Sequence, residues 1–210
     1  MDELKVITLG ESGVGKTAII NRFANNTFDE NSMATLGINI ISKEIKLDNE
    51  KIIPIKVIDT AGQEKYKALT KSYFKNIDAV LFVFSIDKKV SFNNIKEWIK
   101  IFDENHNDKD GILKYLVGSK SDLDREREID IDLVNQFINK YPDFKYYETS
   151  AKSNEGIEEL FKNLGEDFYK NLDEYERNKY QNTKKLTNCK NKKKSSCICY
   201  KNDGNYKSKD

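Results

Sequence analysis

The stretch KVITLGESGVGKT, residues 5–17, decides the fold. Its first half is apolar beyond Lys5 and reads as part of a buried strand over Leu4–Leu9. Its second half, GESGVGKT from Gly10 to Thr17, matches G-x-x-x-x-G-K-[ST]. The glycines let the backbone curl so that successive N–H groups point at phosphate oxygens. Lys16 can reach the β and γ phosphates of a nucleotide, and the Thr17 hydroxyl can ligate Mg²⁺. A helix beginning near Lys16 adds the partial positive charge of its N-terminus. Ser12, Gly13, Val14, Gly15, Lys16, Thr17 and Ala18 are therefore the expected phosphate-binding residues. Ser12 as a nucleophile lacks a base: the only histidine, His106, lies in NHNDKD and reads as a solvated loop residue.

Outward from this loop, apolar strands alternate with helical patterns. Strands are expected at Leu4–Leu9, Ile38–Leu47, Ile52–Ile58, Val80–Ile86, Leu113–Val117 and Phe144–Tyr147. Phe92, Ile95, Ile99 and Phe102 share one helical face, as do Ile157, Leu160, Phe161, Leu164 and Phe168. The alternation predicts an α/β fold: a single P-loop NTPase domain over 1–172, with a mainly parallel six-stranded sheet and helices on both faces. Ligands of such sheets sit at the carboxyl ends of the strands. The informative loops occur at that end.

Three further loops narrow the nucleotide. In DTAGQE, Asp59 can hold Mg²⁺ through a water, the Gly62 N–H can meet the γ-phosphate, and Gln63 can orient an attacking water. In LKYLVGSKSDLD, residues 113–124, a strand delivers Ser119, Lys120, Asp122 and Leu123 to its carboxyl end. Guanine offers two donors, N1–H and the 2-amino group, which one carboxylate accepts as a fork. Adenine has no such pair, so Asp122 selects guanine while the Lys120 stem lies over the base plane. The third loop, ETSAK, brings Ser150, Ala151 and Lys152, with the Ala151 N–H offered to guanine O6.

These loops, in this order and spacing, resemble the Ras superfamily of small GTPases from about Leu4 to Tyr169. GESGVGKT, FVFSID, SFNNIKEWI, VGSKSDL with Arg127 soon after, and ETSAKSNEGIEELF are most similar to the Rab family. The resemblance implies that Thr35 in MATLGINI ligates Mg²⁺ and touches the γ-phosphate, and that Phe28 packs against the guanine. It implies a switch that binds GTP and GDP with Mg²⁺, hydrolyses GTP slowly without a partner-supplied arginine, and acts in vesicle traffic. An exchange factor, a GTPase-activating protein and effectors would engage residues 30–42 and 60–76. A monomer at the cytosolic face of an endomembrane is expected. The chain departs from the family pattern at Ser119, where asparagine is usual. Serine is expected to be too short to do both jobs at once, bracing the phosphate loop and reaching the base, which predicts weaker affinity and faster exchange. Ile58 stands where tryptophan is usual, Ser32 where many carry tyrosine, and Lys65 where arginine is usual, so the effector surface is expected to be atypical. Two other classes compete: a GTPase-like module that holds nucleotide without turnover, and a P-loop nucleoside kinase, which this arginine-poor body disfavours.

Charge is unevenly placed. The net charge is +1, yet the segment from Arg177 to Asp210 carries eleven Lys or Arg against two Asp, leaving −8 on residues 1–176. An acidic body argues against nucleic acid as a partner and assigns any anionic surface, such as a membrane leaflet, to the tail. The tail over 173–210 is polar, basic and poor in large aliphatics, and is expected to be disordered. The start MDELKVITLG is not signal-like, and no apolar run approaches the roughly 20 residues that span a bilayer. All three cysteines, Cys189, Cys197 and Cys199, lie in the tail, which fits a reducing cytosol. The resemblance implies prenylation of Cys197 and Cys199, whereas eleven residues follow Cys199 and no C-a-a-X ending exists. The bland alternative is a solvated linker with free thiols.

Overall fold

In the computed structural model, β1 (Leu4–Leu9), β3 (Ile52–Thr60), β4 (Ala79–Ser85), β5 (Leu113–Ser119) and β6 (Phe144–Thr149) run parallel. β2 (Ile38–Lys46) pairs antiparallel with β3 at one edge, and the sheet order is β2-β3-β1-β4-β5-β6. The structure describes residues 3–30, 35, 37–60, 74–106 and 111–172. Contacts divide the chain into Met1–Tyr169 and Lys170–Asp210, and of the second unit only the helical residues 170–172 are described.

The strands form where the sequence offers β-branched and aromatic runs, and their burial follows their place in the sheet. β4, flanked by parallel neighbours and covered on both faces, is buried at all seven positions. β2 is an edge strand and buries only Ile45 fully. Pro54 is tolerated in β3 because β1 begins pairing only at Ile55, so its missing N–H breaks no bond on that side. Observed strand ends differ from the predicted ones by one or two residues. β5 and β6 extend two residues further, to Ser119 and Thr149, because polar side chains are not excluded where a strand ends in a site.

Helices α1 (Lys16–Asn25), α2 (Lys89–Asn93), α3 (Ile95–Asn105) and α4 (Ile131–Lys140) are joined by α5, which begins at residue 157. Alternate strand residues serve opposite faces. Ile7, Leu9, Phe82 and Leu116 share a cluster with Trp98, Ile99 and Phe102 of α3 and Val134 and Phe137 of α4. On the other face Tyr115 donates its hydroxyl to Asp167 of α5, and Phe23 of α1 stacks on Phe161 with centroids 3.7 Å apart. Burial first, and then the Asp167 carboxylate, push the Tyr115 phenol far above its ordinary value, so it stays a donor. Among the described residues no helix is long and apolar enough to cross a membrane.

His106 corrects the sequence reading. It follows the last turn of α3 and is 6% exposed, its ring stacked on Phe102 at 5.0 Å. Nδ1 lies 2.7 Å from the Phe74 carbonyl, which can only accept, so Nδ1 carries the proton. Nε2 is buried and has no hydrogen-bond partner among the described residues. The polar letters around it concealed a ring that packs as an aromatic. His106→Ala would lose both the stack and the bond to Phe74. We expect a destabilisation of about 2–3 kcal/mol in urea unfolding, and a change within error would refute the packing role.

Candidate functional site

β1 stops at Leu9 opposite Phe82, whereas β4 and β5 run on to the paired Ser85 and Ser119. This step leaves a crevice that the loop Gly10–Gly15 fills. Gly10 lies so close to β4 that a Cβ there would meet the Val83 carbonyl at 2.1 Å, which explains glycine at that position. Gly15, at φ 96°, caps α1 and aims its first turn into the crevice. Lys16 is 5% exposed, and its ammonium donates to the carbonyls of Gly10 and Glu11, both at 2.8 Å. Burial lowers its pKa to about 8, against the opposing pull of Asp59 and Glu11. A partly desolvated cation held only by carbonyls is poised to meet an anion.

Facing it, Thr17 donates to Asp59 Oδ2 at 2.6 Å and lies 2.5 Å from the Thr35 hydroxyl. Asp59 is 1% exposed, and its Oδ1 has no partner among the described residues. Burial raises its pKa, opposed by the Thr17 bond and Lys16. Two hydroxyls and a carboxylate with one bare buried oxygen form a hard, all-oxygen donor set, which fits Mg²⁺.

The other end of the crevice is built by three loops. Lys120, in a left-handed conformation (φ 62°), opens a 3₁₀ turn, Ser121–Glu126, that carries Asp122 and Leu123. The Ser150 hydroxyl donates to Asp122 Oδ1 at 2.5 Å and accepts from the Ser153 N–H at 3.1 Å. The Ala151 carbonyl accepts from Arg22 Nε at 2.7 Å, which ties this loop to α1. Arg127 forks onto both Glu148 oxygens at 2.9 and 2.8 Å and so clamps the two base-side loops together. That bond holds the Glu148 carboxyl below its ordinary value, although partial burial opposes the shift. Lys152 reaches Glu30 at 2.9 Å, an exposed pair that adds little stability. The cavity between these walls measures about 430 Å³, and Phe28, Thr35, Ser119, Lys120, Asp122 and Ala151 line it together with Ser12–Ile19 positions of the phosphate loop and α1. Val14 is fully buried beneath the loop and does not line the cavity; Ser150 acts through Asp122.

A model of the Ras family matches residues 5–170. The chain is 39% identical over 168 residues to Ras-related protein Rab-11B of Dictyostelium discoideum, covering 80% of this chain and 74% of that protein. It is 36% identical to Ras-related protein Rab-1C of the same organism over 80% and 81% of the two chains. It is 30% identical to Ras-related protein RABE1e of Arabidopsis thaliana over 94% and 93%. The chain belongs to the Ras family. It is a Rab-like small GTPase, and hydrolysis of GTP is its reaction.

Several expected residues of this GTPase fall outside the described residues: Gly62 and Gln63, Lys65, Ser32, most of 60–76, and Cys197 and Cys199. Ile58, expected to alter the effector surface, is instead 6% exposed within the core cluster under α3. Arg22, Glu148 and Asp87 were not anticipated as supports of the site. Asp87 lies 3.9 Å from the Lys120 ammonium and accepts from Ser85. Only the proximity of Arg127 and Glu148 to the two motifs hinted at their bond.

Ser119 was expected to be too short to brace the phosphate loop and reach the base as well. Its hydroxyl lies against the Val14 carbonyl and 2.8 Å from that of Phe84, and the residue is 2% exposed. The brace is present. A hydroxyl has one proton, however, and here two carbonyls compete for it, so none remains for a ligand. Ser119→Ala would bare both carbonyls and speed GDP release about 5–30-fold, equivalent to about 1–2 kcal/mol. Ser119→Asn, which adds donors, would slow release. Fluorescent-GDP dissociation measures both, and identical rates for all three proteins would refute the assignment.

Proposed function

We propose that the chain is a guanine-nucleotide switch of intracellular membrane traffic that works with Mg²⁺. The observation that carries this reading is the convergence of Lys16, Thr17, Thr35 and Asp122 on one cavity, with the buried Asp59 carboxylate bonded to Thr17 behind it. Phosphates would lie along the N–H groups of Ser12–Ala18 and draw the Lys16 ammonium from its carbonyls. Asp122, already oriented by Ser150, would accept the two guanine donors, with Phe28 and the Lys120 stem against the base and the Ala151 N–H at O6. Thr17, Thr35 and Asp59 would hold the Mg²⁺, whose charge when bound offsets that of the phosphates. Gln63 would orient the attacking water, and the Gly62 N–H would meet the γ-phosphate.

The γ-phosphate would bias residues 30–42 and 60–76 toward the form that effectors recognise, and its loss would release them. An exchange factor and a GTPase-activating protein would act on the same segments. The basic tail, with Cys197 and Cys199, would supply contact with an anionic endomembrane surface. The protein would act as a monomer. Against the rival reading, a module that holds nucleotide without turnover, stand Thr35, Asp59 and Gln63; Ser119 speaks mildly for it.

Two measurements test this function. Unaided GTP turnover is expected to be far slower than once per second, and Gln63→Leu to slow it at least about tenfold further in single-turnover assays. Seconds-fast turnover unaffected by Gln63→Leu would end the assignment. In the second, ADP should not displace GDP. Asp122→Asn should shift preference from GDP to XDP by at least about a hundredfold, because an amide donor suits the xanthine 2-oxo group and repels the guanine amine. Unchanged base preference would remove Asp122 from the site.

A further inference from the structure

Glu11 is the second residue of GESGVGKT, a position where the phosphate-loop pattern demands no particular side chain. Its carboxylate does not face the cavity. Oε1 accepts from the Trp98 indole N–H and from the Asn94 amide, both at 3.2 Å. Asn94 is the N-cap of α3 and Trp98 lies four residues on, so helical geometry aims both donors at one oxygen. The carboxylate also stands at the positive end of the α3 dipole. Meanwhile the Glu11 backbone carbonyl holds the Lys16 ammonium at 2.8 Å. One residue therefore grips a core helix with its side chain and the phosphate-binding lysine with its main chain. Trp98 is 5% exposed and is the chain's single tryptophan.

We propose that Glu11 is a positioning residue for nucleotide binding: it anchors the phosphate loop to the start of α3, and Trp98 senses the occupancy of that loop. The inference rests on the nucleotide reading above. When phosphate draws Lys16 away, the Glu11 carbonyl loses its cation, and the shift passes through one residue to the indole N–H. An indole whose hydrogen bond to a carboxylate changes alters its emission, and no other tryptophan masks the signal.

The test uses the full chain. Selective tryptophan excitation should show an emission change when GDP with Mg²⁺ is added, reversed when EDTA strips the nucleotide. Glu11→Ala and Trp98→Phe should each release fluorescent GDP about three- to tenfold faster, the share of a charge-assisted bond felt at the loop. Glu11→Gln keeps the acceptor and should restore most of the native rate. The Glu11→Ala/Trp98→Phe double variant should be no faster than the faster single one. Unfolding midpoints would separate positioning from general loss of stability. Emission indifferent to GDP that a filter assay shows to be bound, or Glu11→Gln as fast as Glu11→Ala, would overturn the proposal while leaving the switch intact. Absence of GDP in the filter assay would overturn the switch reading and this inference with it.

Discussion

The site exists because β1 and β3 end three residues short of β4, β5 and β6. Ile7 pairs with Ile58 and Leu9 with Phe82, while Ser85, Ser119 and Thr149 stand in line beyond them. The step leaves no room for a Cβ at residue 10, and Gly10 meets it by placing backbone against the Val83 carbonyl. Everything else is fastened to that seat. The Ser119 hydroxyl pins Val14 from the taller strand, the Ser150 hydroxyl orients Asp122, and Arg127 joins the two tall loops through Glu148. Small hydroxyl residues fit strand ends that are buried yet must hold polar loops, since each satisfies a main-chain group at little volume.

The same seat stores unfavourable electrostatics. A lysine with its pKa lowered from 10.5 to about 8 costs stability wherever it is protonated in the folded chain. The penalty is fully present below about 8, at roughly 3 kcal/mol, and fades as pH rises toward 10.5, where the unfolded lysine also loses its proton. Asp59 is desolvated in the opposite sense, with its pKa raised and one oxygen bare. The two charges relieve each other only partly, since burial remains the larger cause for both. Anionic phosphates beside Lys16 and a cation beside Asp59 would cancel these penalties together. Ligand binding and folding stability are thus coupled through two desolvated charges.

What could be read from sequence was what depends on local spacing. GESGVGKT fixed backbone geometry, and the periodicities of β4, α3 and α5 reported burial directly. Asp122 could be placed at the cavity because the apolar run ahead of it ends as a strand beside the phosphate loop. His106 was misread because its packing partners, Phe74 and Phe102, are not visible in the polar string NHNDKD. For Ser119, side-chain length alone could not say which of the two jobs it would keep. The distance that matters, from β5 to the Val14 carbonyl, is set by strand register and not by residue 119 itself. Arg22, which holds the Ala151 carbonyl across 129 residues of sequence, left no local trace.

Proton accounting in the oxygen cluster bears on how such a site changes state. Thr17 has one hydroxyl proton, and it goes to Asp59, so the short contact with Thr35 must be donated by Thr35. The result is a directed chain, Thr35 to Thr17 to Asp59, that ends on a carboxylate with a second, unused oxygen. A cation entering among these atoms needs their lone pairs, and a hydroxyl keeps two of those while it donates its one proton. The Thr17 bond to Asp59 is therefore compatible with a cation on Thr17, and the Asp59 oxygen left over is a separate acceptor. The Thr35 contact is different, because it spends a Thr17 lone pair and turns the Thr35 proton inward. A cation held by both hydroxyls would replace that one contact and leave the bond to Asp59 in place.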